Sequence, residues 1–188
     1  MCHLRRTAAP YGRGVLPALR IETVAFDHPD AVALRAAQRV ELAVRYGTPD
    51  SEPGPAPTAV DTTVFLLARD PDGVAVGCGG LRGPGPDTGE VKRMYVVPQR
   101  RCSGVASVVL AALEAEAVGR GWTGLRLETG TAQPDAMAFY QRHGDRRIPN
   151  FGHYADSTLS VCYERALGMV ALCAETGDRR SAIGYGQP

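Results

Sequence analysis

Apolar and polar positions change period several times along the chain, and each change marks an element. From Ile21 to Phe26 they alternate loosely, Ile21, Thr23 and Ala25 against Glu22, Val24 and Phe26, which predicts a strand. Residues 28–47 predict a helix, with Pro29 in its first turn, Val32, Leu34, Ala36, Val40, Leu42 and Val44 as the apolar face, and Gly47 at its end. Residues 48–61, "TPDSEPGPAPTAVD", are too rich in proline for a helix or a central strand and read as a loop. Residues 62–69 and 74–82 flank the turn "DPDG" and predict a hairpin. After a second loop (83–89), residues 90–97 alternate strictly. Glu90, Lys92, Met94 and Val96 then share one face, and Val91, Arg93, Tyr95 and Val97 the other. A long helix over 103–120 turns Val105, Val108, Val109, Ala112, Leu113 and Ala117 inward. A strand (125–130), a short helix (133–144) and a last strand (158–167) complete the pattern, without internal repeats.

Helices between strands after residue 90 favour an α/β layer, and the hairpin before it adds antiparallel strands. The expected architecture is a mixed sheet flanked by helices. A length of 188 residues suits one domain with a real core. Residues 1–20, basic and free of acids, read as an extension of little structure, 21–167 as the domain, and 168–188 as a tail.

Composition removes several classes of function. A formal net charge of +1 gives no global field to recruit nucleic acid, and no apolar run approaches membrane-spanning length. Five cysteines, an odd number with no C-x-x-C pair, fit free thiols in a reducing cytoplasm. His3, His28, His143 and His153 lack zinc spacing, so no metal is expected. Lys92 is the sole lysine among 21 basic residues.

The chemistry concentrates in "PQRRCSGVASVV" (98–109). The first turn of a helix leaves backbone N–H groups without intrahelical partners, and with the helix dipole these favour an anion. Gly104 and Ala106 would let a phosphate approach the backbone, and Arg100 and Arg101 add charge at the rim. The same residues also fit an ordinary helix start, with Ser103 as N-cap and two solvated arginines. From this stretch alone both readings stay open.

Its surroundings resemble a known family. "EVKRMYVVPQRRCSGVASVVLAALEAEAVGRGWTGLRLETG" is similar to the central part of the GCN5-related N-acetyltransferase (GNAT) superfamily, with a bacterial subgroup sharing "EVKRMYV", "LETG", "QP" and a late "FG-x-Y". The resemblance spans about residues 21–167 and implies a mostly antiparallel central sheet with splayed strands. Arg101, Cys102, Ser103, Gly104, Val105 and Ala106 match the loop whose amides hold the coenzyme A pyrophosphate, with Cys102 where many relatives carry glycine. Backbone of Tyr95, Val96 and Val97 is expected to pair with the pantetheine amides, and Gln133 to touch the pantetheine arm.

The resemblance also assigns the chemistry. Glu90 matches the general base of many members and Tyr140 the acid that protonates the departing thiolate, with Glu128 a second candidate carboxylate. Asp145 departs from the aromatic that usually follows the glycine at 144. The implied activity is transfer of acetyl from acetyl-coenzyme A to a primary amine of a small molecule or peptide, without metal, nucleic acid or membrane, and with a homodimer left open. The rival readings are a non-catalytic acyl-coenzyme A-binding regulator and nucleic-acid binding through the arginine-rich first twenty residues. Near-neutral charge and the lack of aromatic-basic interleaving count against the second rival.

Overall fold

In chain order the elements are β1 (Arg20–Val24), α1 (Pro29–Tyr46), β2 (Val64–Arg69), β3 (Ala75–Arg82), β4 (Thr88–Val96), α2 (Val105–Gly119), β5 (Gly124–Gly130), α3 (Pro134–Arg142), β6 (Arg146–Ile148) and β7 (Ser160–Ala166). They come from a computed structural model that describes residues 18–49, 53–83 and 85–168. Most of the expected extension and tail therefore lies outside the described residues. Seven strands form one sheet in the order β1-β2-β3-β4-β5-β7-β6. Neighbours are antiparallel except for β4 and β5, which run parallel because α2 carries the chain back between them. This is the mostly antiparallel mixed sheet that the sequence predicts.

Helix α2 covers one face of the sheet. Val109, Leu110, Leu113 and Ala117 pack on Leu66, Leu81, Val91 and Leu127, all nearly solvent-free. Helix α1 covers part of the other face through Ala31 and Leu34, which meet Phe65, Leu67 and Cys78.

Two expectations need correcting, and one element was not foreseen. The inward side of α1 is Ala31, Leu34 and Leu42, whereas Val32 (46% exposed), Val40 (67%) and Val44 (80%) face water. Positions 31, 34, 38 and 42 follow the 3.6-residue period, and the valines sit on its far side.

In β4 strict alternation fails. Arg93 has φ +56°, and the pairing with β3 shifts between Cys78 and Gly80, a bulge that inserts one residue. Lys92 therefore shares a face with Tyr95, on the side of Phe65, while Met94 turns with Val91 toward α2. Finally, the three-residue β6 was not foreseen, being too short to carry a period.

Candidate active site

The bulge and the parallel pair together open the sheet. β4 and β5 are paired at Thr88–Gly124, Gly89–Leu125, Glu90–Arg126 and Val91–Leu127, and at no residue beyond. β5 continues alongside β7 to Gly130, while β4 follows β3 to Val96, so the two strands part. The wedge between them is a cleft. Lys92, Arg93 and Met94 form one wall, Glu128, Thr129 and Gly130 the other, and Gln133, Ala136 and Tyr140 of α3 lie along it. Gln38 and Leu42 of α1 reach it from above, and it continues past Tyr95, Val96 and Arg101.

Past Arg101 the chain turns into α2. Gly104, at φ +86°, is its N-cap, and no side chain caps the helix. Ser103 does not cap it either, because its hydroxyl donates to the Arg100 carbonyl at 2.6 Å. The ordinary-helix-start reading thus loses Ser103 as its N-cap, and a helix start without a side-chain cap favours an anion. Cys102 sits at φ +59°, a left-handed conformation that explains why glycine suits this position.

The two arginines behave differently. Arg100 turns away to the buried Asp70 (2.7 Å), whose other oxygen accepts from the amides of Asp72 and Val74 in the hairpin turn. Arg101 stays at the cleft. Its Nε donates to the Val96 carbonyl (3.0 Å) and its two terminal nitrogens grip both oxygens of Glu41 on α1 (2.5 and 3.1 Å). That grip, with Arg45 on the same carboxylate, holds Glu41 below its ordinary carboxylate value.

The expected pantetheine ladder is revised in detail. The Val97 amide donates to Val76 of β3 and so faces away from the cleft. The carbonyls of Met94 and Val96 accept from Gln38 Nε2 (3.0 Å) and Arg101 Nε. Gln38 Oε1 is buried without a hydrogen-bond partner. Gln133 stands at the N-cap position of α3, with no side-chain capping bond, and lines both parts of the cleft.

Tyr140 is buried on the cleft wall with its hydroxyl 3.6 Å from Met94 Sδ, the face of β4 that the bulge turned round. Burial, with the Asp145 and Glu128 charges adding to it, pushes the phenol well above the ordinary tyrosine value. It therefore remains a proton donor throughout the neutral range.

The two carboxylates differ in access. Glu90 is 1% exposed and does not line the cleft. Arg82 donates twice to its Oε2 (2.9 and 2.7 Å), and the Tyr154 hydroxyl donates to its Oε1 (2.8 Å). Lys92 Nζ in turn donates to Tyr154 (2.6 Å). Glu128 stands on the cleft wall itself.

Sequence reasoning missed Gln38, Glu41 and Tyr46 of α1, because the inward face was drawn through Val32, Val40 and Val44. A polar Gln38 in helical register with Ala31, Leu34 and Leu42 was the signal available. It also missed Tyr154 as the link between Glu90 and Lys92.

Among the described residues no three or more His, Cys, Asp or Glu side chains gather as a metal site, and no helix is long and apolar enough to cross a membrane. A solved Klebsiella pneumoniae protein described as a candidate acyl-CoA N-acyltransferase is 36% identical, with a TM-score of 0.68 over 81% of this chain and 99% of that one. The IAA acetyltransferase of Azospirillum brasilense is 38% identical over 107 residues, 55% of this chain and 67% of that protein. A GNAT family acetyltransferase of Elizabethkingia anophelis, solved with acetyl-CoA bound, shares the fold (TM-score 0.59, 17% identity, 79% of this chain and 98% of that one). The Acetyltransferase (GNAT) family matches residues 33–145, and the chain belongs to it.

Proposed function

We propose that this chain is an acetyl-coenzyme A-dependent N-acetyltransferase in which a primary amine of a small molecule or peptide attacks the thioester directly within a ternary complex. The observation that carries the reading is a cleft lined from Arg101, three residues before the N-cap of α2, to Tyr140 of α3. An extended ligand with an anionic end and a reactive end fits such a groove.

Acetyl-coenzyme A supplies the activated acetyl group. The amides of Val105, Ala106 and Ser107 hold its pyrophosphate, with Arg101 at the rim, and Gln133 and the parted edge of β4 receive the pantetheine arm. Tyr140 gives its proton to the leaving sulfur. Its burial makes that hydrogen bond stronger than one in water.

For the base, geometry favours the carboxylate with access. Glu128 faces the cleft and takes the proton from the attacking amine, directly or through water. Glu90, the residue that the resemblance points to, has both oxygens engaged by Arg82 and Tyr154. Its role is to position Tyr154 and, through it, Lys92.

Thiol release from acetyl-coenzyme A, followed over a panel of amines with wild type, Glu90→Gln and Glu128→Gln, tests the assignment. Amine-dependent release that collapses in Glu128→Gln is the expected result. Collapse in Glu90→Gln alone, with acetyl-coenzyme A binding intact, would return the base to Glu90.

A further inference from the structure

Resting on the acetyl-transfer reading above, we propose that the acceptor is a free amino acid, whose carboxylate is held by Lys92 while its amine is delivered to Glu128. Val91 and Leu127 are the last paired residues of β4 and β5. One step further along each strand stand Lys92 and Glu128. Both lie on the face that Glu90 and its partner Arg126 occupy, and both line the cleft beside Met94 and Tyr140. A cation and an anion thus flank the point where the strands part, next to the proposed acid. An amino acid carries an amine and a carboxylate on one carbon, which matches two opposite charges set side by side.

Lys92 is held for such a task. Its ammonium donates to Tyr154, whose hydroxyl is fixed by Glu90 Oε1. Arg82 already gives Glu90 a close counter-ion through two hydrogen bonds, whereas Lys92 lies 3.6 Å from that carboxylate. Asp61 touches the outer side of Arg82 at 3.6 Å and is 38% exposed, where water screens it. An ammonium has three donors, and Tyr154 takes one. With a lysine here among 21 basic residues that are otherwise arginine, the site presents a compact point charge rather than a planar fork.

The charge decides which amines fit. An acceptor bearing only ammonium groups, such as a polyamine, is repelled by Lys92 at the reacting end. An amino acid is attracted through its carboxylate, and the same cation lowers the amine's proton affinity, raising the share of neutral nucleophile.

The test compares each amino acid with its methyl ester and its decarboxylated amine as acceptors for the full-length protein. At least one amino acid should exceed both analogues in kcat/KM by about ten- to a hundredfold, the worth of one charge-assisted hydrogen bond. Lys92→Met should erase that advantage mainly through KM, and Lys92→Arg should restore part of it. Protein labelled with 15N-lysine should give one side-chain ammonium signal from the folded domain, because the sequence holds a single lysine. That signal should move with the accepted amino acid and not with its decarboxylated amine. Esters or amines that match the acids, or a lysine signal indifferent to both, overturn the acceptor class and leave acetyl transfer standing. Acetyl-coenzyme A that binds while no amino acid is acetylated does the same. Absence of acetyl-coenzyme A binding overturns the reading beneath it.

Discussion

The hydroxyl of Tyr140 lies 3.6 Å from Met94 Sδ, so that α3 and β4 meet across the cleft at a phenol whose partner is a weak acceptor. Such a proton is available to a stronger acceptor arriving beside it, as a departing thiolate would be. Tyr140→Phe should lower turnover by about ten- to a thousandfold while leaving acetyl-coenzyme A affinity and Tm near wild type. Because burial raises the phenol's value in the folded protein, the alkaline limb due to this group should fall above about pH 10, the range of an exposed tyrosine. A Tm well below wild type with normal turnover would make Tyr140 a packing residue.

The Arg101–Glu41 grip places a carboxylate beside the proposed phosphate loop. Glu41→Gln should free Arg101 and tighten acetyl-coenzyme A binding by a few-fold, roughly the worth of one partly exposed ion pair, whereas Arg101→Ala should weaken it. Glu41's folded value is depressed, so the pair is intact above the ordinary glutamate range and is lost as pH falls below it. Calorimetric titration of both variants at neutral pH decides the matter, and equal affinities in all three proteins would remove Arg101 from the site.

For the loop itself, Ser103→Asp puts a negative charge where the helix dipole welcomes it, so the fold should hold while the thermal shift given by acetyl-coenzyme A disappears. Gly104→Ala probes the backbone instead. At φ +86° any Cβ is strained, and a stability loss of about 1–2 kcal/mol is expected. A full ligand-induced shift in Ser103→Asp would argue against phosphate at this turn.

Glu90→Gln should be costly to the fold as well as to the site. It removes the counter-ion of a nearly buried guanidinium, and losses on breaking such pairs run to about 3–5 kcal/mol. Urea unfolding of this variant beside Tyr154→Phe checks it. The second change should leave the Arg82–Glu90 pair and cost much less.

A second charged cluster offers a pH test away from the cleft. Arg165 on β7 donates to Asp145, to Glu114 of α2 and to the carbonyl of His143, joining α2, α3 and the sheet. Burial raises both acids above their ordinary values, with Arg165 opposing it. A raised acid contributes most to stability at low pH, and that contribution is lost as pH climbs from the unfolded value through the folded one. Arg165→Met should therefore destabilise strongly at pH 8 and markedly less near pH 4, read as Tm against pH. A deficit independent of pH would mean that the arginine acts through packing alone.

What could be read from the sequence followed from how local each signal was. The α2 start was legible because a proline-closed strand, small residues and a long apolar helix follow one another within about thirty positions, and Tyr140 was singled out by the resemblance of its short helix to the family's. The sheet's mixed pairing came from the hairpin turn and the alternation of elements after it. Faces were harder. Val32, Val40 and Val44 drew the inward side of α1 to the wrong place, and with it went Gln38, Glu41 and Tyr46. Glu90 was visible as a carboxylate at the right spacing, yet its engagement by Arg82, eight residues away across a strand pair, and by Tyr154, sixty-four away, depends on tertiary structure that spacing does not encode. The departure at Asp145 is understood only once Arg165 and Glu114 are seen around it.

The positive φ at Arg93 has a consequence of its own. A sheet with one residue too many in a single strand holds a dislocation, as a crystal does where an extra half-plane of atoms ends. Side-chain substitutions cannot heal a dislocation, since the mismatch is in the count of residues rather than in their kind. The cleft should therefore survive wide changes in the residues that line it, so that acceptor preference can drift while the opening persists. Shortening β4 by one residue at this point is the change that would let the two strands close along their length.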